Sequence, residues 1–316
     1  MDIDICICTH NPRISILACV MSSIRHQQMQ EGDTFRVIVV DNASNPPLTE
    51  TVFESLKGSD ISFRLIQEPL PGIARARAAA AMASAAEWIL FVDDDNELDS
   101  DYIISGLRVI RGYPKVGCFG GKLLLPDSIE PPLWTQSFFN FLGIRDYGDE
   151  RIERMSDHWG PWEPPTAGAF VHRDVLQEYL RKASSSDSVF ILGRTAERLL
   201  SCEDSLIMLG AANVGRSNAY EPSLILRHHL AQDRFRFSYL MRLMYGYGMS
   251  RVILDTLSER PLTIPDYYIS NCKFFAVILY TLWAERKKPI QYVIGKIVYR
   301  LGIRHQLLLN PTNHRL

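Results

Sequence analysis

Over the first 120 residues, short apolar runs alternate with stretches of helical spacing, and this alternation constrains the fold more than any other feature of the chain. Ile3–Cys8, Arg36–Val40, Ile61–Ile66, Trp88–Val92 and Val116–Phe119 read as strands, being short, apolar and partly β-branched. Between them, Ile14–Gln27 has apolar residues at helical intervals after the breaker Asn11-Pro12, and Leu48–Leu56 and Asp99–Arg111 repeat that spacing. Gly72–Ala86 is Ala-rich and helical by propensity. The pattern predicts an α/β fold with a mostly parallel, doubly wound sheet. In open sheets of this kind ligands sit at the carboxyl ends of the strands, so the residues there are the most informative.

From Leu123 to Pro165 the pattern dissolves into a stretch rich in Pro, Trp and Gly, long enough to be a functional loop or lid. Regular structure returns at Ala169–Val171, with a helix from Asp174, a short helix at Glu203–Leu209, a long amphipathic helix over 233–258 and two further helices within 266–309. No internal repeat is present. The formal charge of −2 excludes an obvious polyanion binder, and no nucleic-acid partner is expected. The charge is uneven: residues 1–226 carry 20 Lys/Arg against 31 Asp/Glu, residues 227–316 carry 14 against 5, so the C-terminal part is suited to face something anionic. The six cysteines show no CxxC pair and no zinc-like spacing, which points to a reducing compartment. The start, Met1-Asp2-Ile3-Asp4, lacks a basic segment before an apolar one. The longest C-terminal apolar run, Phe274–Ala284, would make only ~16 Å of helix against a ~30 Å bilayer core. The expected location is therefore cytoplasmic.

Three strand ends are polar: Cys8-Thr9-His10-Asn11-Pro12, Val40-Asp41-Asn42-Ala43-Ser44 and Val92-Asp93-Asp94-Asp95-Asn96. Adjacent carboxylates repel and raise one another's pKa, and a divalent cation relieves that repulsion. Hard oxygen ligands of net negative charge suit Mg²⁺ or Mn²⁺, which in turn holds a diphosphate. The same residues also fit a solvated acidic turn capping the next helix; their place at the end of a buried strand favours the first reading. No P-loop is present, since Gly121-Lys122 has Val116 at the first Gly position and Leu123 after the Lys, and no HExxH or GxSxG occurs.

These motifs, taken in order, resemble a family 2 glycosyltransferase of the GT-A type over roughly residues 1–230. Thr9-His10-Asn11-Pro12-Arg13 resembles the family's opening T-x-N-R segment, Asp41 its second strand-end Asp, and Gly72-Ile73-Ala74-Arg75-Ala76-Arg77 its G-x-x-x-A-R-N segment, with Ala78 where Asn is usual. Asp93-Asp94-Asp95 matches its DxD, Gly168-Ala169-Phe170-Val171-His172-Arg173 its acceptor-side glycine segment, and Glu203-Asp204 its ED pair. The resemblance implies a Rossmann-like catalytic domain over 1–230, with a nucleotide-sugar half (1–120) and an acceptor half (121–230), followed by a basic helical extension over 231–316.

It also implies an inverting, metal-assisted sugar transfer from a nucleotide-diphosphate sugar, a UDP-sugar being the usual donor, to a saccharide or lipid-linked acceptor. Thr9, Asn11, Pro12, Asp41, Arg77, Asp93 and Asp94 would contact the donor. Asp95, Asp93 and a histidine of the pair His228-His229, with His229 preferred, would hold Mn²⁺ or Mg²⁺. Asp204 would be the general base, with Glu203 orienting the acceptor, and Gly168, Ala169 and Trp159 would line the acceptor side. Read without the resemblance, Glu203 and Asp204 simply favour a helix N-terminus, and the Trp residues at 134, 159 and 162 fit either sugar stacking or anchoring of the loop. The basic, aromatic-rich extension fits either an anionic membrane surface or a helical subdomain packed on the core. Two rival readings remain at this stage: a sugar-nucleotide pyrophosphorylase, which would normally carry a Gly-rich N-terminal loop where this chain has Cys8-Thr9-His10-Asn11-Pro12-Arg13, and a non-catalytic nucleotide-sugar-binding protein.

Overall fold

The computed structural model describes residues 2–57, 61–195, 199–258 and 268–309. The expected alternation is present: β1 (Asp2–Thr9), α1 (Ile14–Arg25), β2 (Thr34–Asn42), α2 (Glu50–Lys57), β3 (Phe63–Glu68), α3 (Ile73–Ala83) and β4 (Trp88–Asp93). There follow β5 (Asn96–Leu98), α4 (Tyr102–Gly112), β6 (Val116–Leu124), β7 (Ile152–Arg154), β8 (Ala169–His172), α5 (Arg173–Ser185), α6 (Glu203–Asn213) and β9 (Ser217–His228). The C-terminal helices are α7 (Phe237–Leu257), α8 (Asn271–Ala284) and α9 (Ile290–Leu309).

One sheet runs β3-β2-β1-β4-β8-β6-β9-β5, with β7 paired to β9. Its first half is parallel, β1 lying between β2 and β4. Its second half is mixed: β8 runs antiparallel to both β4 and β6, and β6 and β9 run parallel. Alternation along the strands divides the core into two layers. Ile3, Ile5 and Ile7 face α1, α2 and α4 through Leu17, Val20, Met21, Phe53, Ile103 and Leu107. Cys6, Cys8 and Cys118 face the Ala-rich α3 and the helices α5 and α6. Small residues on both sides let α3 lie close to the sheet, which accounts for three of the six unpaired cysteines as core packing.

The stretch 123–165 is more ordered than its composition suggests. It contains the end of β6, a 3-10 helix over Leu133–Leu142 and β7. Arg145 fastens its distal part. Its guanidinium donates to the carbonyls of Glu163 (2.6 Å) and Pro161 (3.1 Å) and lies 5.0 and 5.2 Å from the rings of Tyr147 and Tyr220. β9 is twelve residues long, although Glu221-Pro222-Ser223 reads as a turn. The pairing of β6 with β9 shifts register between Gly120 and Lys122, and a Cβ on Gly121 would lie 1.9 Å from the Leu224 carbonyl oxygen. Glycine thus admits a bulge there that absorbs the proline.

Candidate active site

Pairing register brings the three polar strand ends together. Thr9 stands opposite Asp41 across β1–β2, and Cys8 opposite Asp93 across β1–β4. The side chain of Thr9, which is buried, donates to Asp94. Asn11 has a left-handed backbone (φ 50°) and ties two loops together: its N–H donates to Ser44 Oγ (2.8 Å) and its Oδ1 accepts from the Asn45 N–H (2.8 Å). Pro12 follows, half-buried, just before α1. Asp41 is fully buried, and its carboxylate accepts from the N–H groups of Ser44 (3.2 Å) and Leu48 (2.7 Å). It therefore shapes the loop at the end of β2.

Asn42 was not singled out in the sequence, yet it sets the entry to α3. Its amide donates to the carbonyls of Glu68 (3.2 Å) and Leu70 (2.7 Å), and its Oδ1 accepts from the Gly72 N–H (2.7 Å). Gly72 takes φ 136°, a conformation open mainly to glycine. The only cue was an amide directly after a strand-end Asp. This turn launches α3 so that Arg77 points into the site.

Arg77 is the centre of the arrangement. Buried, it bonds Glu203 through one nitrogen and Asp93 at 3.2 Å through the other. Glu203 is equally buried, and burial pushes its carboxyl up to about 7 even though Arg77 pulls it down. Its second oxygen has no hydrogen-bond partner. Asp204, the next residue, is only partly buried and accepts from the Ser205 N–H (2.9 Å). Arg194, also missed in the sequence, is half-buried. Burial lowers its pKa, but Tyr239, Tyr247, Asp204 and Asp93 together hold it above the ordinary value.

The acidic run behaves unevenly. Burial, followed by the neighbouring Asp95 charge, pushes Asp94 up to about 7. Burial raises Asp95 too, but His228, together with Arg13 and Arg234, outweighs it and leaves the carboxyl below the usual range. His228 Nε2 lies 3.3 Å from Asp95 Oδ1, and Arg13 lies 3.9 Å from the other oxygen. The structure thus brings His228, not the preferred His229, to the carboxylates. His228 is the last residue of β9; His229, one step on, turns away and bonds Glu97 at 2.7 Å. Among the described residues no three His, Cys, Asp or Glu side chains form a ready-made metal cage. Asp95 and His228 nonetheless offer an oxygen and a nitrogen suited to Mn²⁺ or Mg²⁺, with remaining positions open to diphosphate oxygens and water.

On the acceptor side, Gly168 takes φ 74°, and its carbonyl accepts from the Tyr102 hydroxyl. The Ala169 side chain is wholly buried in the core. Both residues serve the turn into β8, leaving only backbone to face an acceptor. Trp159 is exposed, whereas Trp162 packs over Gly160, where a Cβ would lie 2.3 Å from its ring, and Trp134 packs on Phe138 and Phe237. Of the three Trp residues, only Trp159 is free to stack on a sugar. The loop before α6 is braced from α7. Ser250 Oγ accepts from the Ser201 N–H (2.8 Å) and donates to the Gly246 carbonyl, and a Cβ on Gly246 would lie 2.0 Å from the Leu199 carbonyl oxygen.

Residues 4–180 match the sequence profile of Glycosyl transferase family 2. The chain belongs to that family. The match carries the strand ends and Arg77, while Glu203, Asp204 and His228 lie beyond it and are placed by the structure. The glucosyl-dolichyl phosphate glucuronosyltransferase of Haloferax volcanii is 19% identical over 280 residues, 84% of this chain and 85% of that protein. An uncharacterized protein of Sinorhizobium fredii, y4gI, is 33% identical over 115 residues, and the chain covers only 12% of its length. Among solved structures, the mannosyltransferase PcManGT of Pyrobaculum calidifontis, in complex with GDP-Man and Mn²⁺, superposes with a TM-score of 0.59 at 14% identity, covering 98% of this chain and 87% of that one. S. aureus TarS 1–349 gives 0.50 at 13% identity over 99% and 92%. At these identities the structural likeness speaks for the fold, and it agrees with the expected GT-A architecture. The expected enzyme class, a glycosyltransferase, follows from the family.

Proposed function

We propose that this family 2 glycosyltransferase moves a sugar, with inversion, from a nucleotide-diphosphate sugar to a saccharide or lipid-linked acceptor. The observation that carries the reading is the Arg77 bridge, which joins the donor-side Asp93 at a strand end to Glu203 beside Asp204 on α6. Donor-side and acceptor-side carboxylates therefore share one site. UDP-sugars are the donors tested first, and GDP-sugars second because PcManGT binds GDP-Man. The Haloferax relative is named for glucosyl-dolichyl phosphate, which supports a lipid-linked acceptor.

In this reading the loops held by Asn11 and Asp41 cradle the nucleoside. Asp95 and His228 would hold Mn²⁺ or Mg²⁺, whose charge offsets that building on the departing diphosphate. Asp204 takes the proton from the acceptor hydroxyl as that oxygen bonds to the anomeric carbon. The bond from that carbon to the diphosphate oxygen breaks, and the nucleoside diphosphate leaves with the electron pair. Arg77 and Arg194 supply fixed positive charge beside that step. Glu203, held by Arg77, keeps α6 in register and orients the acceptor.

The test is a thermal-shift screen of nucleotide sugars with and without Mn²⁺, followed by a nucleoside-diphosphate release assay. A stabilising donor that is hydrolysed slowly alone, and faster with acceptor, supports the reading. Consumption of nucleoside triphosphate would favour a pyrophosphorylase, and tight donor binding without turnover a binding protein.

A further inference from the structure

The helix α8 is apolar on both sides. Phe274, Val277 and Thr281 face inward and are buried. The outward side carries Phe275 (63% exposed), Leu279, Tyr280, Leu282 and Trp283 (61% exposed), and Lys273 is the helix's only charged residue. A helix apolar all round belongs in a core or against lipid, and a protein surface rarely leaves such a face bare. One residue past its end, after Glu285, comes the exposed basic run Arg286-Lys287-Lys288, with the Arg286 guanidinium 4.7 Å over the Trp283 ring. Among the described residues no helix is long and apolar enough to cross a membrane.

We propose that the outward face of α8 lies in the headgroup boundary of an anionic lipid surface, with Arg286, Lys287 and Lys288 on the headgroup phosphates. Two features select lipid over a second copy of the chain. The excess of basic residues in 227–316 complements an anionic surface, whereas two copies packed parallel through this face would bring their basic runs together. Tyr280 and Trp283 also have the apolar body and polar edge that suit the boundary between hydrocarbon and water. The helix lies on the surface rather than through it, as its length requires. The assignment rests on the proposed function only in that a lipid-linked acceptor would need the enzyme at a bilayer. Its test reads lipid binding, so it can fail while transfer to a water-soluble acceptor stands.

The full chain is floated with vesicles of phosphatidylcholine alone and of equal parts phosphatidylcholine and phosphatidylglycerol, at low and high salt. Binding to the mixed vesicles, weakened by salt, is expected. Arg286→Gln/Lys287→Gln/Lys288→Gln should bind about a hundredfold more weakly, roughly fivefold for each basic residue. Leu279→Ser/Trp283→Ser should lose at least about tenfold. Both variants change exposed side chains, and an unaltered melting midpoint verifies the fold. Equal binding to both vesicle types, or mixed-vesicle binding unchanged in both variants, overturns the proposal. So does a wild-type dimer in sedimentation velocity that Leu279→Ser/Trp283→Ser converts to monomer while neither binds vesicles; the face would then belong to a second copy.

Discussion

Replacing Arg77 with Met tests the centre of the site, because the change keeps the bulk of the side chain and removes its charge. Glu203 would then lose its cationic partner while remaining buried. Removing one member of a buried ion pair costs about 3–5 kcal/mol when the other stays charged. Here the cost depends on pH. The Glu203 carboxyl is raised to about 7 in the folded protein, above its ordinary 4.5. Its stabilising contribution is thus fully present below about 4.5 and fades as pH rises through 7. Without Arg77 the folded pKa moves higher still. At pH 6 Glu203 is mostly neutral in both proteins, and the variant loses mainly packing and the Asp93 contact. At pH 8 the wild type carries the ionised form beside Arg77, while the variant must keep the proton or bury a bare charge. The Glu203 share of the difference grows by about 1.4 kcal/mol between pH 6 and pH 8, since the wild type levels off above 7 while the variant does not. Urea unfolding at both pH values measures it. Arg77→Met/Glu203→Met should regain most of the stability, since an apolar pair of similar volume replaces the ionic one. Equal losses at pH 6 and 8, or a double variant no more stable than Arg77→Met, would refute the reasoning.

Asp204→Asn should cut transfer by roughly two to four orders of magnitude with donor affinity by calorimetry unchanged, while Glu203→Gln should cost less in kcat and more in acceptor KM; a normal Asp204→Asn enzyme with a dead Glu203→Gln would exchange their roles. His228→Ala and Asp95→Asn should abolish the stimulation of donor binding by Mn²⁺, and His229→Ala should leave it nearly intact; the opposite ranking of the two histidines in a titration would move the metal ligand. Asp94, raised to about 7, holds its proton below that pH, so Mn²⁺-dependent donor binding should strengthen from pH 6 to 7, by at most about tenfold per unit, and level off above; a flat profile from pH 6 to 8 would count against its part in the site. Gly246→Ala should destabilise and slow transfer together, because its Cβ meets the Leu199 backbone; lost stability with unimpaired turnover per folded molecule would show that α7 does not position the catalytic loop.

The parallel half of the sheet was legible because each strand there is short, apolar and bounded by helical spacing, and because polar residues gather at its strand ends. Asp93, Asp94 and Asp95 stand out as a run. Arg77 was legible only through resemblance, since within an Ala-rich helix nothing distinguishes it from Arg75, which instead lies 4.3 Å over the Phe190 ring. β7 escaped because three residues paired at a sheet margin carry no period of their own. β9 has strand-like spacing only at its apolar end, Leu224-Ile225-Leu226, its start being polar and its middle broken by Pro222. The two adjacent histidines could not be ordered from sequence, because which one faces inward depends on where β9 stops. Ser250 and Gly246 carried no local signal at all, since their partners lie about fifty residues earlier in the chain.

That α7 reaches back to the segment carrying Glu203 and Asp204 bears on how such enzymes can diversify. Helices beyond a catalytic sheet are natural units to exchange when an enzyme is redirected to a new acceptor or a new surface. In this chain the exchange would carry the floor of the loop before α6 with it, because Ser250 holds the Ser201 N–H and Gly246 makes room for Leu199. A chimera that swaps the tail after residue 230 would inherit an unsupported loop unless the incoming helix brought a small residue and a hydroxyl at the same two positions. Selection on the C-terminal helices is then also selection on the segment that carries Glu203 and Asp204.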